Sequence, residues 1–249
     1  MAVRVLGTYG GKWSWVMKGV EYALSKGAIV SNHSYGGGYV SSSTKQYYNN
    51  LANNNPNHVF VYAAGNANSM VSSTYPRFGC ALEMPNQICV ASSTKNDQRS
   101  YFSNYGKDMV HVFAPESDIV STTPNGKYSS YSGTSMASPQ VAGLAALIRS
   151  MQSMTGVETK KWILDNVQVK AKYADFVSTS GLIDVYVDLH THLRIAARLT
   201  IIAALLNPIL GIVALLTTLV LKAEEIVTPM TNAIMDSFVA KTLVDLDIA

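Results

Sequence analysis

Charged residues are scarce in this sequence. Lys, Arg, Asp and Glu make up 14% of the 249 residues and leave a formal net charge of +3. No run of Lys or Arg occurs, so the chain offers no basic surface of the kind that binds nucleic acid or an anionic membrane. We therefore expect no nucleic-acid partner.

Cysteine is also rare, since the chain contains only Cys80 and Cys89. Two thiols cannot form a structural zinc site, which needs four ligands. They either form one local disulfide, which would indicate an oxidising compartment, or remain as two buried thiols. Their spacing leaves both alternatives open.

An apolar leader is missing as well. Residues 1–30 contain no run that resembles the hydrophobic core of a signal peptide. A secreted or membrane-associated location would therefore require additional sequence at the amino terminus. A disulfide would need an oxidising compartment, which a chain without a signal peptide would not reach, and the same additional sequence would resolve this conflict.

What the sequence does contain is a regular alternation of short β-branched runs with helical patterns. The predicted strands lie at 3–7, 28–34, 59–66, 88–93, 110–117 and 181–187, and most are nearly continuously apolar, as in strands covered on both faces. The predicted helices lie at 14–27, 41–55, 135–151 and 155–167, the last with Thr155 and Glu158 at capping-box spacing. This alternation predicts an α/β fold with a parallel sheet flanked by helices.

The last part of the chain, residues 189–249, differs in character and is predicted to be a hydrophobic helical tail. Residues 199–221 carry no charged side chain and are long enough to span a bilayer, although Asn207-Pro208 would kink a helix there. The alternative is a helical hairpin that packs on the protein. We favour a membrane-inserted segment, and we place the domain boundary after residue 188.

Segments of small and polar residues follow the predicted strands, and their composition indicates a reactive serine. The carboxyl ends of parallel strands meet at one edge of a sheet, and "AAGN" and "SGTSMASPQ" are both predicted to lie at that edge. Ser135 sits on a tight turn at the start of a helix, whose amino terminus favours negative charge. The amide of Asn66 could donate to an oxyanion, although Asn66 alone could equally be a turn residue.

Three motifs occur here in the order found in the subtilisin-like serine proteases: "SNHSYGGG" at 31–38, "AAGN" at 63–66 and "GTSMASP" at 133–139. The segments 99–106 and 113–122 resemble further stretches of the same family. The similarity covers residues 1 to about 188. It implies a subtilisin-like fold, incomplete at the amino terminus, and a serine endopeptidase that hydrolyses peptide bonds through an acyl-enzyme.

The resemblance also implies roles for individual residues. Ser135 would be the nucleophile, and the side chain of Asn66 would bind the oxyanion together with the backbone N–H of Ser135. A peptide or protein substrate would add as an extended strand to a groove. The walls of that groove would be Ser34, Tyr35 and Gly36 on one side and Ala63, Ala64 and Gly65 on the other.

Two smaller expectations concern the backbone. The family can hold a cis peptide bond at the position of Tyr75-Pro76, so we expect one there. Glu116 stands where the family has a glycine. Its backbone must therefore either avoid positive φ or carry strain.

The general base is the missing part. The family takes it from a helix that begins H-G-T-H and orients it with the aspartate of a D-[ST]-G motif, both upstream of the segment that 3–7 resembles. None of the five histidines here precedes Gly-Thr-His, and no aspartate precedes Ser-Gly or Thr-Gly. His33 is nearest to the groove, but alternation along a strand points it away from the face of Ser34. We expect the chain as given to be inactive alone.

Further expectations follow from the missing region. The family's strongest calcium loop lies largely upstream, so no metal ligand or cofactor is assigned. A central strand of the sheet is also lost, so the segment 3–7 should pair directly with 28–34 or the chain should be poorly stable. We favour a truncated endopeptidase, partnered by an amino-terminal fragment with the missing Asp and His. The alternative is a non-catalytic, membrane-associated remnant that binds peptides.

Overall fold

The computed structural model describes residues 1–7 and 10–184. The predicted domain boundary after residue 188 and the candidate membrane segment 199–221 lie outside these described residues. Within them, no helix is long and apolar enough to cross a membrane.

A six-stranded sheet forms the centre of the described part. Its strands are β1 (Val30–His33), β2 (Val59–Ala63), β3 (Gln87–Ser93), β4 (Val112–Pro115), β7 (Gln168–Val169) and β8 (Gly181–Leu182). They lie in the order β1-β2-β3-β4-β8-β7, with β1 to β4 and β8 parallel and β7 antiparallel to β8. The predicted α/β class with a mostly parallel sheet is confirmed.

Helices cover both faces of this sheet: α1 (Trp13–Ser25), α2 (Ser42–Asn54), α3 (Thr134–Met151) and α4 (Gly156–Asp165). Val16 of α1 and Tyr48 of α2 share one buried cluster with Phe60 and Tyr62 of β2. The alternate positions of β2 face the other way, where α3 packs along β1 to β4. Side chains at matching positions of neighbouring strands therefore form one core on each face of the sheet.

The helix ends follow the local sequence. Gly27 has a φ of 77°, which a glycine adopts without steric cost, and it ends α1. The predicted capping box of α4 is present, because Thr155 Oγ1 accepts from Glu158 N while Glu158 Oε2 accepts from Thr155 N.

The first predicted strand, 3–7, is wrong. Its backbone forms an isolated bridge between Gly7 and Gly10, and among the described strands β1 pairs with β2 alone. Val5 packs on α1 instead, where Gly19 makes room: a Cβ at Gly19 would lie 2.2 Å from Val5 Cγ1. Val3 and Val5 are thus only partly covered by a helix, Leu6 remains exposed, and the predicted pairing with 28–34 does not form.

A hairpin that the sequence analysis did not predict lies between β4 and α3. Strands β5 (Ile119–Thr123) and β6 (Lys127–Tyr131) pair antiparallel around the turn Pro124–Gly126. Asn125 and Gly126 have φ values of 67° and 69°. An Asn-Gly pair between a β-branched segment and a segment with two tyrosines is a strong hairpin signal that could have revealed it.

The two cysteines are joined. A disulfide links Cys80, in the short 3₁₀ turn Cys80–Leu82, to Cys89 of β3. Of the two alternatives left open by the spacing, the structure has the bridge. It fastens the loop that lies between β2 and β3 to the central sheet.

The backbone expectations have opposite outcomes. The predicted cis bond at Tyr75-Pro76 is wrong, since no peptide bond among the described residues is cis. Glu116 avoids positive φ, which occurs at Asp118 instead, with φ 55°. The Glu116 carboxylate is buried and accepts from Ser100 Oγ at 2.7 Å.

Candidate active site

Ser135 lies in the first turn of α3, directly after a turn built on glycine. Gly133 precedes the helix with φ 156° and ψ 161°, a conformation that side chains with a Cβ rarely adopt. Thr134 and Ser135 are the first helical residues, so their N–H groups have no partner within the helix. Ser135 is half-buried, and it is placed where the helix amino terminus favours negative charge.

The hydroxyl of Ser135 donates to a backbone carbonyl. Its partner is Ser34 O, at 3.2 Å, and Ser34 Oγ in turn donates to Ser135 O at 2.9 Å. Ser138 Oγ donates to Asn32 Oδ1, and Asn32 Nδ2 donates to Ser34 Oγ. The side chain and the carbonyl oxygen of Ser34 therefore both bind the turn that carries Ser135.

Thr134 fixes the orientation of the Asn66 amide. Asn66 Oδ1 accepts from Thr134 N at 3.0 Å and from Thr134 Oγ1 at 2.8 Å. Because a backbone N–H can only donate, the atom that faces it must be the amide oxygen. The amide nitrogen of Asn66 is thereby left to donate elsewhere. The sequence analysis gave Thr134 no role, although it belongs to the quoted motif.

Two hydrogen-bond donors flank the empty position above Gly133. A Cβ built on Gly133 would lie 3.4 Å from Asn66 Nδ2 and 3.8 Å from Ser135 N. The amide nitrogen and the helix N–H thus border the same space, with Asn66 Oδ1 also 3.8 Å from the built Cβ. Such a pair of fixed donors can stabilise an oxyanion that develops during attack by serine.

Asn104 clamps the segment that carries Asn66, and the sequence analysis missed it. Its side chain is buried, donates to Ala64 O at 2.8 Å, and accepts from the N–H groups of Ala67 and Ser69 at 3.0 and 2.9 Å. Its own N–H donates to the carbonyl oxygen of the residue before Asn66 at 2.8 Å. The family-like segment 99–106 contains this residue, but only the fold brings it to the loop.

The remaining predicted groove residues lie at the carboxyl ends of β1 and β2. Ala63 and Ala64 are buried, and Gly65 has φ 99° with a virtual Cβ only 2.6 Å from the Asn104 amide nitrogen. Across from them, Tyr35 is half-buried and Gly36 is exposed. The structure therefore brings the predicted walls to the same sheet edge as Ser135.

The three described histidines all have partners away from Ser135. His33 and His58 both contact Ser31, and Nδ1 of His111 accepts from Cys89 N at 2.8 Å. Burial lowers the pKa of His33 to about 3, with a smaller contribution from His58. As alternation along β1 predicts, His33 and Ser34 point to opposite faces.

Burial lowers the pKa of the other two imidazoles as well. The pKa of His58 falls to about 4, although the hydrogen bond to Ala28 acts in the opposite direction, and that of His111 falls to about 3. All three imidazoles are therefore neutral near pH 7. Among the described residues, no group of three or more His, Cys, Asp or Glu side chains could hold a metal ion.

Comparison with known families decides the identity of this arrangement. Residues 1–182 match the model of the subtilase family of peptidases. The chain belongs to the subtilase family.

Individual relatives agree with this assignment. Thermitase from Thermoactinomyces vulgaris is 44% identical over 151 residues, 60% of this chain and 51% of that protein. Subtilisin E from Bacillus subtilis is 36% identical over 187 residues, 74% of this chain and 47% of that protein. This chain thus spans about half the length of these relatives.

A solved structure agrees at the level of the fold. A protease from Pseudoalteromonas arctica PAMC 21717 superposes with a TM-score of 0.61 at 28% identity, over 76% of this chain and 61% of that one. The described sheet and helices are therefore those of a subtilase.

Proposed function

We propose that this chain supplies the nucleophile and the oxyanion-binding half of a serine endopeptidase. The observation that carries the proposal is the convergence of Asn66 Nδ2 and Ser135 N on the space above Gly133. Thr134 and Asn104 hold the Asn66 segment from both sides, so these donors are fixed before a substrate arrives. A preorganised pair of this kind stabilises a transition state rather than a bound substrate.

The proposed reaction begins with an extended peptide in the groove between 34–36 and 63–65. Ser135 Oγ attacks the peptide carbonyl carbon, and the carbonyl oxygen takes up negative charge between the two donors. The C–N bond then breaks, the amine leaves with a proton, and an acyl-enzyme remains on Ser135 until water hydrolyses it.

The proton of Ser135 needs an acceptor that the described residues do not offer, since its partner is the Ser34 carbonyl oxygen. We assign the general base to a polypeptide segment with the family's aspartate and histidine motifs. The described chain then requires that amino-terminal fragment as a partner and is inactive without it.

Labelling by a fluorophosphonate probe tests this division of labour. The full 249-residue chain alone should react slowly at Ser135, because its hydroxyl lacks a base. A polypeptide with the D-[ST]-G and H-G-T-H segments of a subtilase should raise the labelling rate by about 100-fold or more. A reading frame upstream that encodes both motifs would identify the natural fragment.

Two serine variants make this test specific. Ser135→Ala should abolish labelling, whereas Ser132→Ala, in the same turn, should keep it. Rapid labelling of Ser135 in the chain alone would show that a base has been overlooked. No acceleration by the added polypeptide would contradict the proposed complementation.

Membrane association is a separate proposal that rests on sequence alone. Residues 199–221 carry no charged side chain and exceed the roughly 20 apolar residues that a bilayer-spanning helix needs. Flotation of the full chain with lipid vesicles, compared with a chain that ends at residue 188, tests it. Equal behaviour of the two proteins would refute the proposal.

A further inference from the structure

Two imidazole nitrogens converge on one serine oxygen, on the face of β1 opposite to Ser34. His33 Nε2 and His58 Nε2 each lie 2.7 Å from Ser31 Oγ. In such a contact the nitrogen directs its lone pair or its hydrogen towards the oxygen. The two ring nitrogens are therefore aimed at one point, and they lie no more than twice this distance apart.

The hydrogens around this point follow from one carbonyl group. Ala28 O only accepts, so the neutral His58 carries its hydrogen on Nδ1, 2.6 Å away, and has a lone pair at Nε2. Ser31 donates its hydrogen to that lone pair and accepts from His33 Nε2–H. His33 Nδ1 then accepts from the Tyr35 hydroxyl at 2.5 Å.

Both rings have the second contact that is typical of metal-binding histidines. A ligating imidazole usually donates its other nitrogen to an oxygen atom, which fixes the ring and leaves one lone pair for the metal. His58 already does so with Ala28 O. His33 would do so with Tyr35 Oη once its hydrogen moves from Nε2 to Nδ1. This change of tautomer supplies a second neutral ligand without net release of a proton.

The Tyr35 hydroxyl has alternative partners for its own hydrogen after this change. Tyr35 packs against the buried cluster that contains Tyr48 and Tyr62. The phenol oxygens of these two buried tyrosines have no hydrogen-bond partner in the structure. Each of them can accept a hydrogen, so the exchange at His33 does not have to leave a donor unpaired.

Packing restricts the two rings, while the point between them stays accessible. The His33 ring is stacked on Tyr62, with centroids 4.3 Å apart, and the His58 centroid lies 4.4 Å from that of Phe60. Both imidazoles are only 3% exposed, whereas Ser31 is partly exposed. An ion can therefore enter from the side of Ser31 and displace its hydroxyl.

The donor atoms determine the class of ion. Imidazole ligands suit zinc, copper and nickel, whereas Ca²⁺ and Mg²⁺ require oxygen ligands. In the described part of the chain no third His, Cys, Asp or Glu side chain joins this pair. Metal–imidazole bonds are about 2.0–2.1 Å long, so the ion would lie slightly closer to the rings than Ser31 Oγ does. The positive charge of Arg149, which also lowers the pKa of His58, opposes the ion and limits the affinity.

We propose that His33 and His58 bind a late first-row transition-metal ion through their Nε2 atoms, at the position that the Ser31 hydroxyl occupies. Water completes the coordination of the ion on the exposed side. The site is independent of the proposed peptidase function, since His33 and Ser34 point to opposite faces of β1.

Electron paramagnetic resonance of Cu²⁺ added to the full, chelator-treated chain tests the two ligands. His190 and His192 are first replaced by Asn, because this His-Thr-His pair lies outside the described residues and could bind metal as well. The spectrum should show coupling to two imidazole nitrogens. His33→Asn or His58→Gln should each remove one nitrogen and weaken binding by at least about tenfold, measured by calorimetry.

A matched control uses the third described histidine. His111 accepts from Cys89 N through Nδ1, and the amide oxygen of an asparagine can replace that acceptor. His111→Asn should therefore change neither the nitrogen coupling nor the affinity. Loss of the metal in His111→Asn with retention in His33→Asn would place the ion elsewhere and overturn the proposal.

The tautomer of His33 gives a readout that a purely structural role would not change. Long-range ¹H–¹⁵N NMR spectra should show His33 as the Nε2–H tautomer in the metal-free chain and as the Nδ1–H tautomer with Zn²⁺. His58 should remain the Nδ1–H tautomer throughout. Ca²⁺ should leave both rings unchanged. An Nε2–H tautomer of His33 at saturating Zn²⁺ would contradict the proposed ligation.

Variants of Ser31 keep the test decisive if a histidine variant does not fold. Ser31→Ala removes the hydroxyl from the point at which the nitrogens are aimed, so Cu²⁺ and Zn²⁺ should bind at least as tightly. Ser31→Cys adds a thiolate there and should tighten Zn²⁺ binding by at least about tenfold. Unchanged affinity in Ser31→Cys, or no binding in the chain without His190 and His192, would refute the site.

Discussion

Buried neutral histidines make the stability of this fold depend on pH in the mildly acidic range. His33 and His58 are each only 3% exposed, and burial lowers their pKa values to about 3 and about 4. In the unfolded chain both pKa values are about 6.5. Between these limits the unfolded state binds protons that the folded state does not, so the free energy of unfolding falls as the pH falls.

The size of the effect follows from the same values. Each imidazole contributes its full stabilisation above its unfolded pKa of about 6.5 and loses it as the pH falls towards the folded value. At about pH 5 the linkage relation gives a loss of about 2 kcal/mol for each imidazole. Together the two would remove about 4 kcal/mol, an upper value, from a total that is typically about 5–15 kcal/mol.

Urea unfolding of the full chain between about pH 7.5 and 5 measures this loss. The matched variant is His33→Asn, which does not titrate in this range. It should be less stable than the original chain at neutral pH, but should lose about 2 kcal/mol less on acidification. Groups that titrate equally in both proteins cancel in this difference. An identical pH dependence of the two proteins would refute the buried neutral state of His33.

Three other changes test how the site is held. Replacing Cys80 and Cys89 together with serine should lower the free energy of unfolding by about 2.5 kcal/mol, as closure of so short a loop implies; unchanged thermal unfolding would contradict this. Gly133→Ala should cost about 1–3 kcal/mol through strain and slow fluorophosphonate labelling in the complemented protein, because its methyl group fills the space between the two donors; unimpaired labelling would refute that geometry. Asn104→Ala should speed amide hydrogen exchange at Ala67, and equal exchange would show that Asn104 is no clamp.

The elements predicted correctly are those that a local pattern determines. Nearly continuous apolar runs gave the positions of β2 to β4, because strands covered on both faces need no polar alternation, whereas only the start of the predicted segment 28–34 is apolar and β1 itself is largely polar. The segment 3–7 is also largely apolar and is not a strand, since Val5, which is only partly buried, packs against α1. Composition indicates that such a segment contacts the core, but not which element it packs against.

The candidate site also contains residues that a local motif predicts and residues that only the fold reveals. Ser135 and Asn66 could be found from short motifs, because the chemistry of a nucleophile and an amide donor needs those residue types on tight turns. Thr134 and Asn104 act through contacts between segments that are distant in sequence. Alternation along β1 predicted the direction of His33, but its link to His58 depends on the pairing of β1 with β2.

The two faces of β1 contact different parts of the candidate site region. One face braces the Ser135 turn through Asn32 and Ser34, and the other holds Tyr35 through His33. A shift of β1 by one residue would exchange these faces and remove both sets of contacts at once. The two donors that we propose bind the oxyanion are, by contrast, fixed by contacts among β2, α3 and the loop that carries Asn104. A segment that brings the base therefore needs to position only the base, because the geometry around Ser135 is already held without it.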